Sequence, residues 1–261
     1  MSTSKVTVTD RNKLVMGVFL LIAGLLASTV SNAGESPLNA VLESSNALVD
    51  VLSVNVAVAG GQPQGFFDSR TGQVLVTQSV APVTYTRNGS GTVIDPRGII
   101  VTNAHIVRDA GGLIVTFLNG SRANVKEVCL VSGTDLALLI IDPPFPLSSV
   151  RLGNSDKIFP GADVYTVGHS EWLSGSVMGG RVIGVQREQG RPDSSVIAIM
   201  LSFDMAKGDS GCPVFNAKGE LLGVIGASLT GGRVRAAVAI PSNGIVAAHQ
   251  EYLRRTGLTG A

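Results

Sequence analysis

From residue 83 onward the chain consists of short apolar runs broken by turn signals about every ten residues. The runs read GTVID, GIIVTN, LIVTFLNG, VKEVCLV, LALLII, ADVYTVG, GGRVIGVQ, VIAIMLS, CPVFN, LLGVIGAS and RAAVAI. Between them stand DPRG, NGSR, DPPFP and NAKGE. Branched side chains suit a pleated surface, and Gly, Pro, Asn and Asp end each run before a helix can form. The spacing is that of an antiparallel sandwich or barrel. A glycine count of 32 and an aromatic share of 5% fit tightly turned strands better than a helical bundle.

Helical spacing is found only outside this series. Residues 37–50, PLNAVLESSNALVD, place Leu38, Val41, Leu42 and Leu48 on one weak face. Residues 51–59, VLSVNVAVA, read as a strand, and 60–75, GGQPQGFFDSRTGQVL, as an exposed loop or hairpin. Near the other end NGIVAAHQEYLRR follows Pro241 and Ser242 and opens at Asn243, residues that favour a helix start. The expected fold is all-β with a helix near its C-terminal end.

Lys5, Arg11 and Lys13 precede the uncharged run LVMGVFLLIAGLLA, residues 14–27, and Ser31, Asn32 and Ala33 supply small residues beyond it. A basic start, an apolar centre and a small-residue exit describe a secretory signal, with cleavage expected before Gly34. The competing reading is a retained membrane anchor, for which the run through Val30 is about as short as a spanning helix can be. Either reading puts the rest of the chain outside the cytoplasm. Charged residues make up 15% and the net charge is +1, so nothing electrostatic favours nucleic acid or an anionic membrane. Cys129 and Cys212 are too few for a disulfide framework and read as small buried side chains. The histidines, His105, His169 and His249, are far apart in sequence, and no metal-ligand spacing appears.

The stretch DMAKGDSGCPVFN, residues 204–216, sets Ser210 between glycines. That suits an ordinary turn, and equally a nucleophile on a bend that glycine tolerates. A hydroxyl needs a base beside it, and the base needs an orienting group. Upstream, GIIVTNAHIV turns from an apolar strand to His105, and SGTDLALLII puts Asp135 directly before an apolar run, where a carboxylate requires a partner. Taken singly, His105 could close a strand and Asp135 could cap one. Taken together, the order His105, Asp135, Ser210 is that of the chymotrypsin-type triad.

The blocks GSGTVIDPRGIIVTNAHIV, GTDLALLII, RLGNSD, KGDSGCPVFN, GELLGVIGAS and VAIPSN occur in the order found in trypsin-like serine proteases. Over roughly residues 85–250 the chain most resembles the bacterial Deg/HtrA branch, to which AIPSN points in particular. The resemblance implies two six-stranded antiparallel β-barrels, chymotrypsin-like, with the site in the cleft between them. Joined to the N-terminal reading above, it gives an expected signal peptide at 1–33, a segment with a short helix at 34–49, and a protease domain at 50–261. Within that domain the first barrel is expected at about 50–145, including a loop at 60–82, the second at about 146–240, and a helix at 242–255. His105 would be the base, Asp135 its orienting partner and Ser210 the nucleophile. The Gly208 and Ser210 N–H groups would hold the oxyanion, with Asp209 shaping the loop. No cofactor or metal is expected.

Asp204, six residues before Ser210, stands at the offset of the trypsin pocket aspartate, which selects Arg or Lys. Deg/HtrA proteases instead cut after small aliphatic residues, and both preferences stay open. The pocket wall is expected in GASLTGG, from Gly226, Ala227 and Ser228. Gly226 also replaces the serine that touches the triad aspartate in trypsin, so that support must come from elsewhere. Cys212 stands where the family usually has glycine. No trypsin-style activated N-terminus is found, so Asp209 must meet other donors. The chain extends about twenty residues past AIPSN, too few for the PDZ domain usual in the branch. His169 and Trp172 are expected in a loop near the cleft. The expected partners are protein or peptide substrates, with a homotrimer as a weaker implication and membrane association if the N-terminal segment is retained. The leading reading is an exported, periplasmic or secreted, serine endopeptidase. The alternatives are a catalytically silent peptide-binding module of the same fold and a structural envelope protein.

Overall fold

A computed structural model describes residues 36–60, 64–68, 73–77, 80–168, 176–188, 194–203, 206, 208–231 and 234–258. The expected signal segment 1–33, and the calls on His169, Trp172 and Asp204, lie outside the described residues. In chain order the elements are α1 (Pro37–Ser45), β1 (Leu48–Gly60), β2 (Gln64–Asp68), β3 (Gln73–Thr77), β4 (Val80–Asp95), β5 (Ile99–Asn103) and the one-turn α2 (Ala104–Val107). Then come β6 (Gly112–Phe117), β7 (Arg122–Leu130), β8 (Leu136–Ile141), β9 (Arg151–Leu152), β10 (Asp163–Gly168) and β11 (Ser176–Arg187). The last are β12 (Val196–Leu201), β13 (Pro213–Phe215), β14 (Glu220–Gly231), β15 (Val234–Pro241) and α3 (Ser242–Thr256). Every apolar run quoted above overlaps one of these strands.

The strands form the two expected barrels. The first closes in the order β1-β4-β5-β8-β7-β6. The second runs β13-β10-β11-β12-β15-β14 and closes through pairing of β13 with β14, while β9 adds a short parallel strand outside β14. Buried strands such as β5 (IIVTN) and β8 (LALLII) are apolar on both faces because each has core on one side and packed elements on the other.

One local expectation differs from the structure, and another is narrowed by it. Leu48 does not belong to the first helix, which ends at Ser45; Leu48, Val49 and Val51 are buried in β1. The alternation from Leu48 onward suits a strand, and a turn closed by the Ala47 N–H on the Ser44 carbonyl separates the two elements. Of the loop or hairpin expected from residue 60 onward, the described residues form the hairpin. β1 and β4 pair from Leu48↔Thr92 out to Gly60↔Val80, and β2 pairs with β3.

Both helices bind the barrels to each other. Ser44 Oγ of α1 donates to the Gly219 carbonyl at 2.9 Å. Helix α3 leaves the second barrel and places Ile245 and Tyr252 in the core of the first. Its start is held from a distance: Asn243 N–H donates to Ser155 Oγ at 3.1 Å, Ser155 N–H donates back to Asn243 Oδ1 at 3.3 Å, and Ser242 Oγ donates to the Gly153 carbonyl at 2.7 Å. These contacts substitute for a side-chain cap on the helix itself, since Pro241 at the cap position offers none. Lower on α3, His249 Nε2 lies 3.0 Å from Asp95 Oδ2. Arg97 grips the same carboxylate with two bonds, at 2.9 and 2.6 Å, and reaches the Leu258 carbonyl at 2.8 Å. The Arg97 hydrogen bonds hold the Asp95 carboxyl down at about 2 against the opposing effect of burial.

Neither cysteine is in a disulfide. Cys212 is fully buried, as the sequence suggested. Cys129 is half-buried beside Glu127 and Arg255, and burial pushes its thiol up.

Candidate active site

His105 stands on α2, directly after the end of β5, and Asp135 directly before β8. The two strands are neighbours, with Asn103 paired to Leu136, so the ladder itself brings the two side chains together. His105 Nδ1–H donates to Asp135 Oδ2 at 2.6 Å, and the His105 backbone N–H donates to Asp135 Oδ1 at 2.8 Å. One carboxylate thus fixes both the main chain and the ring of the same histidine. With the proton held at Nδ1, the lone pair is left on Nε2, the nitrogen that a general base would use. Both side chains are open to solvent, 47% and 38% exposed, so substrate can reach the ring.

The backbone around Asp135 is fixed by residues the sequence reading did not single out. The Asp135 carbonyl accepts the Ala104 N–H at 3.0 Å and Asn103 Nδ2–H at 3.2 Å. Asn103 is fully buried, and a Cβ placed on Gly226 would lie 3.1 Å from its Nδ2. The side chain missing at Gly226 therefore leaves room for the Asn103 amide, which supports Asp135 through its main chain. Arg87 closes α2 by donating to the His105 and Arg108 carbonyls at 3.1 and 3.3 Å. Asn103 was visible within TNAHIV, whereas Arg87 had no signal beyond proximity to GSG.

Ser210 sits in the turn between β12 and β13. Gly208 and Gly211 on either side have φ of +104° and +86°, a region in which residues with a Cβ are strained. A Cβ on Gly211 would also overlap the Ser90 carbonyl. The buried Asp209 turns back within the loop: its Oδ2 accepts the Ala206 N–H at 2.7 Å, and its carbonyl accepts the Cys212 N–H at 3.0 Å. The donor that Asp209 requires is therefore a backbone N–H. Among the described residues, the N–H groups of Gly208 and Ser210 donate to no protein acceptor. Backbone donors with one residue between them can receive an anion where they converge.

Gly89 measures how closely the two halves of the site approach. A Cβ there would overlap Ile106 Cδ1, next to His105, and would stand 3.1 Å from the Ser210 carbonyl oxygen. The residue that follows His105 and the main chain of Ser210 thus meet at one first-barrel glycine. Among the described residues no hydrogen bond yet joins His105 Nε2 to Ser210 Oγ. Gly226 lies at a bulge of β14, and Ala227 and Ser228 beyond it are exposed on the side of the strand that continues past the site. Among the described residues no group of His, Cys, Asp and Glu is placed to hold a metal ion.

A family model described as a trypsin-like peptidase domain matches residues 89–224, from the glycine beside Ser90 to β14. A putative serine protease HhoB of Synechocystis sp. is 32% identical over 184 residues, covering 68% of this chain and 44% of that protein. A probable periplasmic serine endoprotease, DegP-like, of Rhizobium meliloti is 35% identical over 159 residues, covering 59% and 31%. Serine protease HTRA1A of Danio rerio is 34% identical over 161 residues, covering 60% and 33%. The chain spans less than half the length of each of these curated relatives. Among solved structures, the HtrA-type protease AlgW with decapeptide has the same fold, at TM-score 0.62 and 24% identity, covering 84% of this chain and 68% of that one. The match of the family model over more than half the chain, to the same residues that carry the site, makes this chain a member of the trypsin-like peptidases.

Proposed function

We propose that this chain is a serine endopeptidase that hydrolyses peptide bonds through an acyl-enzyme, with His105, Asp135 and Ser210 as its catalytic residues. The observation that carries the reading is the hold of one carboxylate, Asp135, on the ring of His105 as well as on its backbone N–H, the geometry a general base requires. His105 Nε2 takes the proton as Ser210 Oγ attacks the scissile carbonyl, and returns it to the leaving amine. Asp135 stabilises the imidazolium formed in between. The negative charge on the carbonyl oxygen is received by the Gly208 and Ser210 N–H groups, with Asp209 holding the loop that presents them. The serine–histidine hydrogen bond tightens when substrate fills the cleft and excludes water.

Export to the periplasm or beyond rests on the basic and apolar start of the chain and on the periplasmic relatives named above. Substrate is unfolded or extended protein, in keeping with the decapeptide held by AlgW. The side-chain preference, Arg or Lys through Asp204 or small aliphatic through Gly226, Ala227 and Ser228, is read from a peptide-library cleavage profile of the natural protein and of Asp204→Ala. A homotrimer and membrane retention are the further implications, read by sedimentation and by membrane fractionation. Among the described residues no helix is long and apolar enough to cross a membrane.

A fluorophosphonate probe tests the central claim. Labelling that is lost in Ser210→Ala, in protein shown to be folded, is expected. Folded natural protein that takes no label and cleaves no peptide, yet binds peptides, would instead establish a silent binding module.

A further inference from the structure

The nucleophile loop belongs to the second barrel, but a fully buried polar residue of the first barrel holds it. Ser90 of β4 is fully buried and stands between Gly89 and Gly91. Its N–H donates to the Ser210 carbonyl at 2.8 Å. Its Oγ–H donates to the Gly208 carbonyl at 3.2 Å. Its own carbonyl accepts Thr102 Oγ1–H at 2.7 Å and lies against Gly211, where no Cβ would fit. The Cys212 thiol donates to Ser90 Oγ at 3.3 Å. A hydroxyl has one hydrogen to give. With the thiol donating into the Ser90 oxygen, that hydrogen is directed at Gly208.

These bonds fix successive peptide planes of the loop. The plane from Gly208 to Asp209 is held at its carbonyl by Ser90 Oγ and at its N–H by the Ala206 carbonyl. The plane from Asp209 to Ser210 carries the Ser210 N–H, and its carbonyl is held by the Cys212 N–H. The plane from Ser210 to Gly211 is held by the Ser90 N–H and by the Ile225 carbonyl. The Ser210 N–H belongs to the middle plane, between the two that Ser90 holds, so loosening either neighbour turns that donor, while the Gly208 N–H is restrained through the Gly208 carbonyl on the other side of its Cα.

We propose that Ser90 is a positioning residue for the oxyanion site and that Cys212 orients the Ser90 hydroxyl, so that the first barrel sets the donors of the second. The flanking glycines are what admit it: a Cβ on Gly89 would overlap Ile106, and one on Gly91 would press on Ile100. Cys212 does here what a glycine at that position does not, supplying a buried donor to the Ser90 oxygen.

This inference rests on the proposed serine-peptidase activity, and one set of measurements separates the two. The natural protein, Ser90→Ala, Cys212→Ala and Cys212→Ser are compared for kcat and KM on one peptide, for binding of a peptide boronic acid as a transition-state mimic, and for thermal unfolding. Removing an oxyanion donor outright costs on the order of 10²–10³ in kcat. Loss of positioning is expected to cost less, about tenfold in kcat for Ser90→Ala, with KM within about twofold and boronate affinity falling in parallel with kcat. Cys212→Ala moves the same way by a smaller factor, and Cys212→Ser, which keeps a donor, restores activity. A Ser90→Ala protein that is folded and keeps its kcat and boronate affinity overturns the proposal. So does loss in Cys212→Ala that Cys212→Ser fails to restore. A natural protein that neither turns over peptide nor takes the fluorophosphonate label overturns the proposed function, and this inference with it.

Discussion

The two barrels contribute to the cleft in different ways. The first delivers His105 and Asp135 from the ends of paired strands, where β5 and β8 run side by side through Asn103↔Leu136. The second delivers Ser210 from a turn whose shape depends on two glycines at positive φ. The cores differ in the same sense. The first barrel packs Ile99, Ile100, Leu138, Leu139 and Ile141 with Ile245 and Tyr252 of α3, and gains Phe215 and Leu221 from the second barrel. The second encloses a smaller set that includes Cys212, Ala237 and Ala239. Of the buried polar side chains near the site, Ser90, Thr102 and Asn103 belong to the first barrel and Asp209 to the second. A rigid strand pair needs little outside help to hold a base, whereas a glycine turn does not hold its own shape and must be held from outside.

The sharpest way to break this contrast is at the reacting groups. His105→Ala or Ser210→Ala is expected to lower kcat on the order of a millionfold, as in comparable triads, and Asp135→Asn by about 10⁴. If the base side is preformed by the ladder, Asp135→Asn leaves the unfolding temperature nearly unchanged while kcat falls; unfolding that drops in step with activity would refute the preformed arrangement.

Next in size is Gly211→Ala, which combines left-handed backbone strain with overlap on the Ser90 carbonyl. Stability is expected to fall by about 3 kcal/mol, measured by urea unfolding, and fluorophosphonate labelling to slow by more than that loss explains. A variant that labels at the natural rate would show that the turn keeps its shape without the first barrel.

Ile245→Ala tests how far the first core depends on α3. A cost of about 2–4 kcal/mol is expected, and amide exchange should quicken in β5 and β8 more than in β12. Equal quickening in both barrels would show one shared core rather than two.

The smallest effect is electrostatic. Asp95 has its folded pKa lowered from 3.8 to about 2. A lowered carboxylate adds stability that is present above the unfolded value and is lost as pH falls through the folded one. Since Arg97 is 41% exposed, screening leaves about 1 kcal/mol. Asp95→Asn should therefore unfold more easily near neutral pH, with the gap to the natural protein closing as pH falls from about 4 towards 2. A gap that is constant with pH would assign the effect to packing.

Much of this organisation is legible in the chain because it is local. Each barrel strand is a continuous apolar run, and its ends are marked by Gly, Pro, Asn and Asp. His105, Asp135 and Ser210 are each followed or preceded by such a run, which is why their placement can be read from motif order. What escapes is held by contacts between distant residues. Ser90 and Gly208 are separated by 118 positions, and a serine between glycines reads as a turn until the partner is known. Asn103 looks like the end of a strand, and only the empty space at Gly226 explains its amide. Leu48 was drawn into a helical pattern because one apolar residue at the right interval outweighed the alternation that begins there. The segment 60–82 is rich in turn residues, yet β1 and β4 run through its margins because the first barrel extends their pairing.

Helix α3 gives the protein a timetable. Its Ile245 and Tyr252 complete a hydrophobic interior begun some two hundred residues earlier, at Val41 and Leu48. A nascent chain can pair β4, β5 and β8 as soon as they emerge, but that interior stays open on one side until the last turns of α3 have been synthesised. The proposed catalytic groove is thus assembled only after α3, which follows Ser210 in the chain, has been synthesised.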